Sequence, residues 1–215
     1  YMTREGEEVP LQLTKKGYQR SENATFGNFA YTDNFTDSVL AQSWHTLRGP
    51  ATEYYSLTAN PGHLTIKCAD VKSTDKAVLP YVGRRIQHHK YTAGTKLTFV
   101  PENDNECAGM LLFKDEVHQY FLGKDCKDSR QRMVLRRITE NGTEEIAGKE
   151  LDPDNKSVNL MIESQGLNLD FKYSLDNGNT WETLASGLDA GFMSTARAGG
   201  FTGTTVGLYA SGASN

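Results

Sequence analysis

Five histidines, three cysteines and a few adjacent carboxylates are the groups in this 215-residue chain that could do chemistry, and their spacing argues against most of it. His88 and His89 are neighbours in a strand-like run, so their rings point to opposite faces and cannot readily share an ion. His45, His63 and His118 stand alone in sequence, and a three-histidine metal site would have to be assembled by the fold. Cys68, Cys107 and Cys126 are odd in number and form neither a C-x-x-C nor a zinc spacing. Cys68 and Cys107 fall in apolar patterns and read as small core residues. There is no G-x-S-x-G elbow and no local Cys–His signature. The stretch from Ala198 to Gly203 has glycine at three of six positions but lacks the G-K-[ST] of a phosphate loop, so it reads as a sharply turned loop. Acid pairs at Asp115/Glu116, Glu144/Glu145 and Asp152/Asp154 are expected in turns. A glycosidase needs two carboxyls roughly 5–9.5 Å apart across a sugar, and nothing in the sequence selects such a pair.

One motif is better defined. Ser174-Leu-Asp176-Asn-Gly178-Asn-Thr180-Trp181 reads S-x-D-x-G-x-T-W, the Asp-box pattern found in sialidases and several other carbohydrate-related proteins. Its physics is that of a hairpin, with Asp and Gly suited to the tight turn and Ser, Thr and Trp bracing the strands it joins.

The elements that must position these groups are strands. Strict alternation marks Leu64, Ile66 and Cys68 in 63–68, Leu97 and Phe99 in 95–100, Val158, Leu160 and Ile162 in 157–163, and Leu167, Leu169, Phe171 and Tyr173 in 167–175. Period two over these lengths predicts half-buried antiparallel strands. The run 108–113 is continuously apolar and is expected to be buried on both faces. Runs at 117–122, 133–138 and 206–210 continue the series, separated by turn signals such as Pro101–Asn105, Asn141-Gly142 and Asp176-Asn-Gly178. No helix-period segment exceeds about ten residues, and Ser38–Trp44 offers one short turn. About a dozen strands in a chain of this size predict an all-β domain of two packed antiparallel sheets. Residues 1–28 are polar and read as a linker or N-terminal arm with at most one edge strand (Val9, Leu11, Leu13 alternate); residues 29–215 form the sandwich.

Composition narrows the partners. Ten Tyr, nine Phe and 20 Gly suit strands and tight turns. The formal charge of −4 and pI near 5.8 come with mixed signs and no basic stripe, which excludes nucleic acid as an expected partner. Arg84-Arg85 and Arg136-Arg137 split between two strand faces. No run approaches the roughly 18 apolar residues of a membrane helix. N-x-S/T sequons stand at Asn23, Asn34, Asn141 and Asn155. The chain opens on Tyr1 rather than Met and reads as a fragment or processed product, which leaves periplasmic, secreted and cytoplasmic locations all open.

An ordered set of phrases is more specific than any single motif: Phe29-Ala-Tyr-Thr-Asp-Asn-Phe35, Trp44-His-Thr-Leu-Arg48-Gly-Pro50, Tyr55-Ser-Leu57, Asn60-Pro-Gly-His-Leu64, Gly83-Arg-Arg85-Ile-Gln-His88, Ala108-Gly-Met110, His118-Gln-Tyr120, Gly200-Phe-Thr-Gly203 and Val206-Gly-Leu-Tyr-Ala210. Over about residues 28–212 these resemble the C-terminal concanavalin A-like domain of glycoside hydrolase family 43 β-xylosidases and α-L-arabinofuranosidases. The resemblance implies a two-domain parent, with an N-terminal five-bladed β-propeller holding the catalytic acid, base and a third carboxylate. None of the three can be placed in this chain, so the chain alone is expected to be non-catalytic. It also implies a sandwich that packs on the propeller and sends a loop to the rim of its sugar pocket. Phe201 is the best match for the aromatic on that loop, with Phe192 as the rival. Family members usually run on into a last strand of D-F-x-W/Y-F character, which the stretch to Asn215 lacks.

The competing reading is an autonomous module that binds xylan- or arabinan-type polysaccharide through aromatics on a concave sheet, with Tyr54, Tyr55, Tyr81 and Tyr120 as candidates. A sugar-cleaving enzyme in its own right is the third reading. No cofactor is required by any of them. A sandwich of this type can hold a structural Ca²⁺ through side-chain and carbonyl oxygens near the chain ends, and Asp33 is the carboxylate singled out for it.

Overall fold

The computed structural model describes residues 30–212, together with the backbone of two N-terminal strands, β1 (Met2–Arg4) and β2 (Glu7–Val9). The rest of the expected 1–28 arm, including Leu11, Leu13 and the sequon at Asn23, lies outside the described residues, as do Phe29 and residues 213–215. The chain divides into two compact units, Tyr1–Asn34 and Phe35–Asn215. In the first, β1 and β2 pair antiparallel, with Met2 opposite Val9.

The second unit is a sandwich of two antiparallel sheets. Its strands are β3 (Tyr55–Ser56), β4 (Thr65–Ile66), β5 (Tyr81–Arg85), β6 (Lys90–Thr98), β7 (Cys107–Asp115), β8 (His118–Lys127), β9 (Arg130–Thr139), β10 (Gly142–Glu150), β11 (Ser157–Gln165), β12 (Asn168–Ser174), β13 (Glu182–Asp189) and β14 (Thr205–Ser211). One sheet has the order β10-β9-β8-β7-β14-β5 and the other β13-β12-β11-β6; β3 and β4 form a separate ribbon. Among the described residues helix is confined to two four-residue turns, η1 (Ala190–Met193) and α1 (Thr195–Ala198).

The alternation read from sequence reappears as burial. On β11, Val158, Leu160, Ile162 and Ser164 face inward and their neighbours face outward; on β12, Leu169, Phe171 and Tyr173 do the same. These residues meet Met110, Leu112, Tyr120, Leu122, Met133 and Leu135 of the larger sheet in the core between the sheets. The Tyr120 and Phe171 rings, 5.5 Å apart, join the two layers. Truncating a buried ring such as Phe171 to Ala costs about 3–5 kcal/mol.

The six-stranded sheet is buried on its other face too. Leu111, Phe113, Phe121, Val134, Ile138 and Tyr209 pack there with Leu79, Leu47 and Val71 from the long segment that precedes β5. This explains why 108–113 is apolar without interruption: both faces of β7 are covered. The segment covering the sheet is mostly irregular. The expected strand at 63–68 reduces to Thr65–Ile66, because among the described residues only the short stretch from Tyr54 to Ser56 bonds alongside it. At 38–44 the structure has a turn closed by Trp44 N–H donating to the Ala41 carbonyl at 2.9 Å. Glu144 and Glu145 are not in a turn; they lie on β10, an exposed edge strand whose charges oppose further strand pairing.

Candidate functional site

The register aligns one end of the sandwich. Across the larger sheet Arg85, Thr205, Phe113, Gln119, Ile138 and Thr143 lie in one row. Across the smaller sheet Lys90, Gln165 and Asn168 align with Asp189. The β5–β6 link, the β7–β8 turn and the long β13–β14 connection therefore emerge together. Tyr120 on the larger sheet donates its hydroxyl to the Asp189 carbonyl at 3.2 Å, tying the sheets at this end.

The β13–β14 connection is built to lift one side chain into solvent. Asp189 caps η1 by accepting from Gly191 N–H at 2.8 Å and also pairs with Arg197. The helical turn α1 ends at Gly199, and Gly199 and Gly200 both have φ of 68°. Two successive left-handed residues reverse the chain away from the sheets, a path cheap only for glycine. Phe201 follows, at 107% relative exposure the most solvent-open large apolar side chain among the described residues. The chain is then recaptured: Thr204 Oγ1 donates to the Met193 carbonyl at 3.2 Å, and the Thr204 carbonyl accepts from Ile86 N–H at 3.0 Å. Buried Lys114 donates to the Thr202 carbonyl. Phe192 goes the other way. It is half-buried, its ring 4.9 Å from His118 and 5.7 Å from Tyr120, packed on the core.

The four tyrosines are not brought together. Tyr81 and Tyr120 are both fully buried. Tyr81 shares a 2.7 Å hydrogen bond with Thr205 Oγ1, and burial raises its phenol well above the ordinary range. Burial also raises the Tyr120 phenol, opposed by the neighbouring Arg137. Tyr54 and Tyr55 are half-buried, and Tyr55 lines a shallow groove with Val39, Leu40 and Leu57.

The carboxylates of the three acid pairs are largely engaged within the structure, whereas the buried His45 Nε2 has no hydrogen-bond partner among the described residues. Asp115 accepts from Val117 N–H at 3.0 Å and lies 2.8 Å from His118 Nδ1; Glu116 pairs with Arg48. Glu144 pairs with Arg137, and Glu145 with Arg132, which draws its carboxyl below the usual range. The Asp152 carboxylate accepts from Asp154 N–H at 2.9 Å. His45 exchanges two 2.9 Å backbone bonds with Gly83, and burial lowers its imidazole below the ordinary value. The His89 carbonyl accepts from Gly166 N–H and Ser164 Oγ, both at 2.9 Å. Cys68, Cys107 and Cys126 are free thiols, each with its ionisation pushed up by burial.

Among the described residues no group of three or more His, Cys, Asp or Glu side chains could hold a metal ion. Asp33 accepts a 3.0 Å hydrogen bond from the Tyr31 hydroxyl. No helix among the described residues is long and apolar enough to cross a membrane.

The Asp-box segment is a self-braced hairpin turn. Asp176 accepts from Ser174 Oγ at 2.7 Å, from Thr180 N–H at 2.8 Å and from Thr180 Oγ1 at 2.6 Å. The Thr180 and Ser174 bonds bring its carboxyl down to about 2. With every carboxylate oxygen spent on its own turn, the motif acts as a clasp.

Lys114 is the residue at this end that sequence reading passed over. The apolar run stops at Phe113, and a lysine after it fits the solvated end of a strand. A charged residue directly following an unbroken apolar run was the available signal.

Residues 32–215 match the family described as the beta-xylosidase C-terminal concanavalin A-like domain. The chain is 29% identical over 180 residues to the non-reducing end alpha-L-arabinofuranosidase of Bacteroides ovatus, covering 84% of this chain and 33% of that protein. It is 32% identical over 179 residues to a xylosidase/arabinosidase of Butyrivibrio fibrisolvens, covering 82% and 34%. Among solved structures, a GH43_12 protein retrieved from a capybara gut metagenome superposes with a TM-score of 0.80 at 28% identity, over 87% of this chain and 35% of that one. The chain thus spans about one third of the length of the relatives it matches. With its two antiparallel sheets, their shared core and this match over most of its length, the chain belongs to the C-terminal concanavalin A-like domain family of glycoside hydrolase family 43 xylosidases and arabinofuranosidases.

Proposed function

We propose that this sandwich is a non-catalytic accessory domain of a family 43 xylosidase or arabinofuranosidase. It packs on a catalytic β-propeller outside this chain and helps to shape the propeller's sugar pocket. The observation that carries the reading is Phe201, a fully exposed aromatic raised on two left-handed glycines at the loop-rich end of a rigid sandwich. A large apolar ring held in water is unfavourable by itself and gains by covering a partner's surface. The sugars concerned are xylo- or arabino-oligosaccharides, by analogy with relatives whose names specify xylosidase and arabinofuranosidase activity.

Two features weigh against the autonomous binding module. Tyr81 and Tyr120 are interior residues. The outward face of β6 presents Lys90, Thr92, Gly94, Lys96 and Thr98, with no aromatic on which a sugar ring could stack. The test is titration of the 215-residue chain with xylo- and arabino-oligosaccharides by calorimetry, beside hydrolysis of aryl glycosides by the full-length protein. The accessory reading expects no binding tighter than about 1 mM, weaker than about −4 kcal/mol, and turnover only in the full-length protein. Micromolar binding by the chain alone would favour the module.

A further inference from the structure

Phe113 pairs with Gln119, and the next pair is Asp115 with His118. Two residues of β7 therefore oppose one of β8, and Lys114 is the extra residue of a β-bulge. Bulges re-aim a side chain at the cost of a ladder position and are frequent beside functional sites. Here the bulge places a lysine that is only 4% exposed. Its Nζ donates to the Thr202 carbonyl, and it forms no ion pair with any described residue. A buried ammonium without a counter-charge needs its donors satisfied by oxygen acceptors, and here the acceptor is a loop carbonyl.

Thr202 directly follows Phe201. On the N-terminal side of the ring, the Gly199 N–H donates to the Thr195 carbonyl at 3.0 Å, which holds the loop to α1 rather than to a sheet, and Gly200 has open space where a side chain would sit. On the C-terminal side the first contact with the sheet is Lys114, ahead of the Thr204 bonds to Met193 and Ile86. A charge-assisted bond from a strand buried on both faces thus ends one residue from the exposed ring.

We propose that Lys114 is the positioning residue of the Phe201 loop. Its ammonium fixes the Thr202 carbonyl and thereby the direction in which the ring is presented. The inference deepens the accessory-domain reading and rests on it for the ring's purpose. The loop's order can be tested independently of that purpose.

Chymotrypsin digestion of the 215-residue chain reads loop order through the cut after Phe201, since cleavage follows the population of locally open states. Lys114→Met is expected to speed that cut by about tenfold or more, while cuts elsewhere stay at the wild-type rate. Should Lys114→Met lose its fold, seen as acceleration at every site, Lys114→Gln serves instead and must speed the Phe201 cut selectively. A cut after Phe201 at the wild-type rate in a folded Lys114 variant overturns the proposal. In the full-length protein, Lys114→Met should raise KM in the wild-type background and add nothing to Phe201→Ala. If the loop loosens but Phe201→Ala leaves kinetics unchanged, the pocket role of Phe201 fails and the positioning role stands. If Phe201→Ala impairs turnover while Lys114→Met does not, Lys114 is not the positioning residue.

Discussion

Lys124 Nζ lies 2.6 Å from the Phe99 carbonyl oxygen, inside the sandwich and fully buried. It also donates to the Asn155 carbonyl at 2.7 Å, so one lysine ties the β6–β7 loop to the β10–β11 loop at the end opposite Phe201. Burial brings its ammonium down to about 8. An unfolded lysine titrates near 10.4. Between these values the unfolded chain holds a proton that the folded chain has lost, so stability rises with pH across the window. Below about pH 8 both states are charged and the term is flat. We expect the stability of the wild type relative to Lys124→Met, measured by urea denaturation, to increase from pH 7.5 to 10, by at most about 3 kcal/mol. A flat difference across that range would show that the ammonium is not depressed.

On the opposite face of β8, Asp125 is only 1% exposed and is gripped by two arginines. Arg132 meets it in a fork at 2.9 and 2.8 Å and extends to Glu145 on the edge strand at 3.0 and 2.9 Å. Asp125→Ala leaves Arg132 with Glu145 alone and two largely buried donors without an acceptor, and should destabilise the chain by about 1.5–3 kcal/mol. Replacing the pair together, as Asp125→Leu with Arg132→Met, should recover most of that loss. Thermal melts of the single and double variants decide it. A single variant within about 0.5 kcal/mol of wild type would place the network among ordinary surface pairs.

Gly109 and Gly123 face each other across β7 and β8. A Cβ on Gly109 would stand 2.2 Å from the Leu122 carbonyl oxygen, and one on Gly123 would meet the Ala108 oxygen at 2.3 Å. Both neighbours are backbone and cannot step aside. Gly109→Ala should cost about 3 kcal/mol or more by overpacking. Gly166→Ala, at a turn with φ of 71° and open space, should cost only about 1 kcal/mol of backbone strain. Denaturation midpoints in the reverse order would contradict the packing.

How much of this was legible depended on whether a residue's surroundings are local. The inward sets of β11 and β12 were readable because alternate residues share a face whatever lies opposite. The buried strand at 108–113 was readable from its length without a polar break. Leu64, Ile66 and Cys68 alternate equally well, yet a strand also needs a neighbour to bond, and sequence does not show that the stretch alongside is as short as Tyr54 to Ser56 among the described residues. Glu144 and Glu145 looked like turn residues because charges protect an edge strand as readily as they solvate a loop. Tyr81 and Tyr120 could not be told from surface aromatics, since a tyrosine suits either place when its hydroxyl finds a partner, here Thr205 and the Asp189 carbonyl. The bulge at Lys114 was invisible because it exists only relative to β8. At Phe201 the flanking glycines signalled an unusual backbone but left open whether the ring packs inward or faces solvent, since that depends on what the sandwich offers nearby.

The measurement that bears most directly on the accessory role is steady-state hydrolysis of an aryl xyloside or arabinofuranoside by the full-length protein, wild type against Phe201→Ala, beside the melting temperature of the 215-residue chain carrying the same change. Removing a ring that only a partner's pocket uses should lower kcat/KM by about tenfold, a loss of about 1.4 kcal/mol of transition-state stabilisation, and leave the melting temperature within about 1 °C of wild type. Unchanged kcat/KM, or a stability loss of the roughly 3–5 kcal/mol typical of a core Phe→Ala, would contradict it.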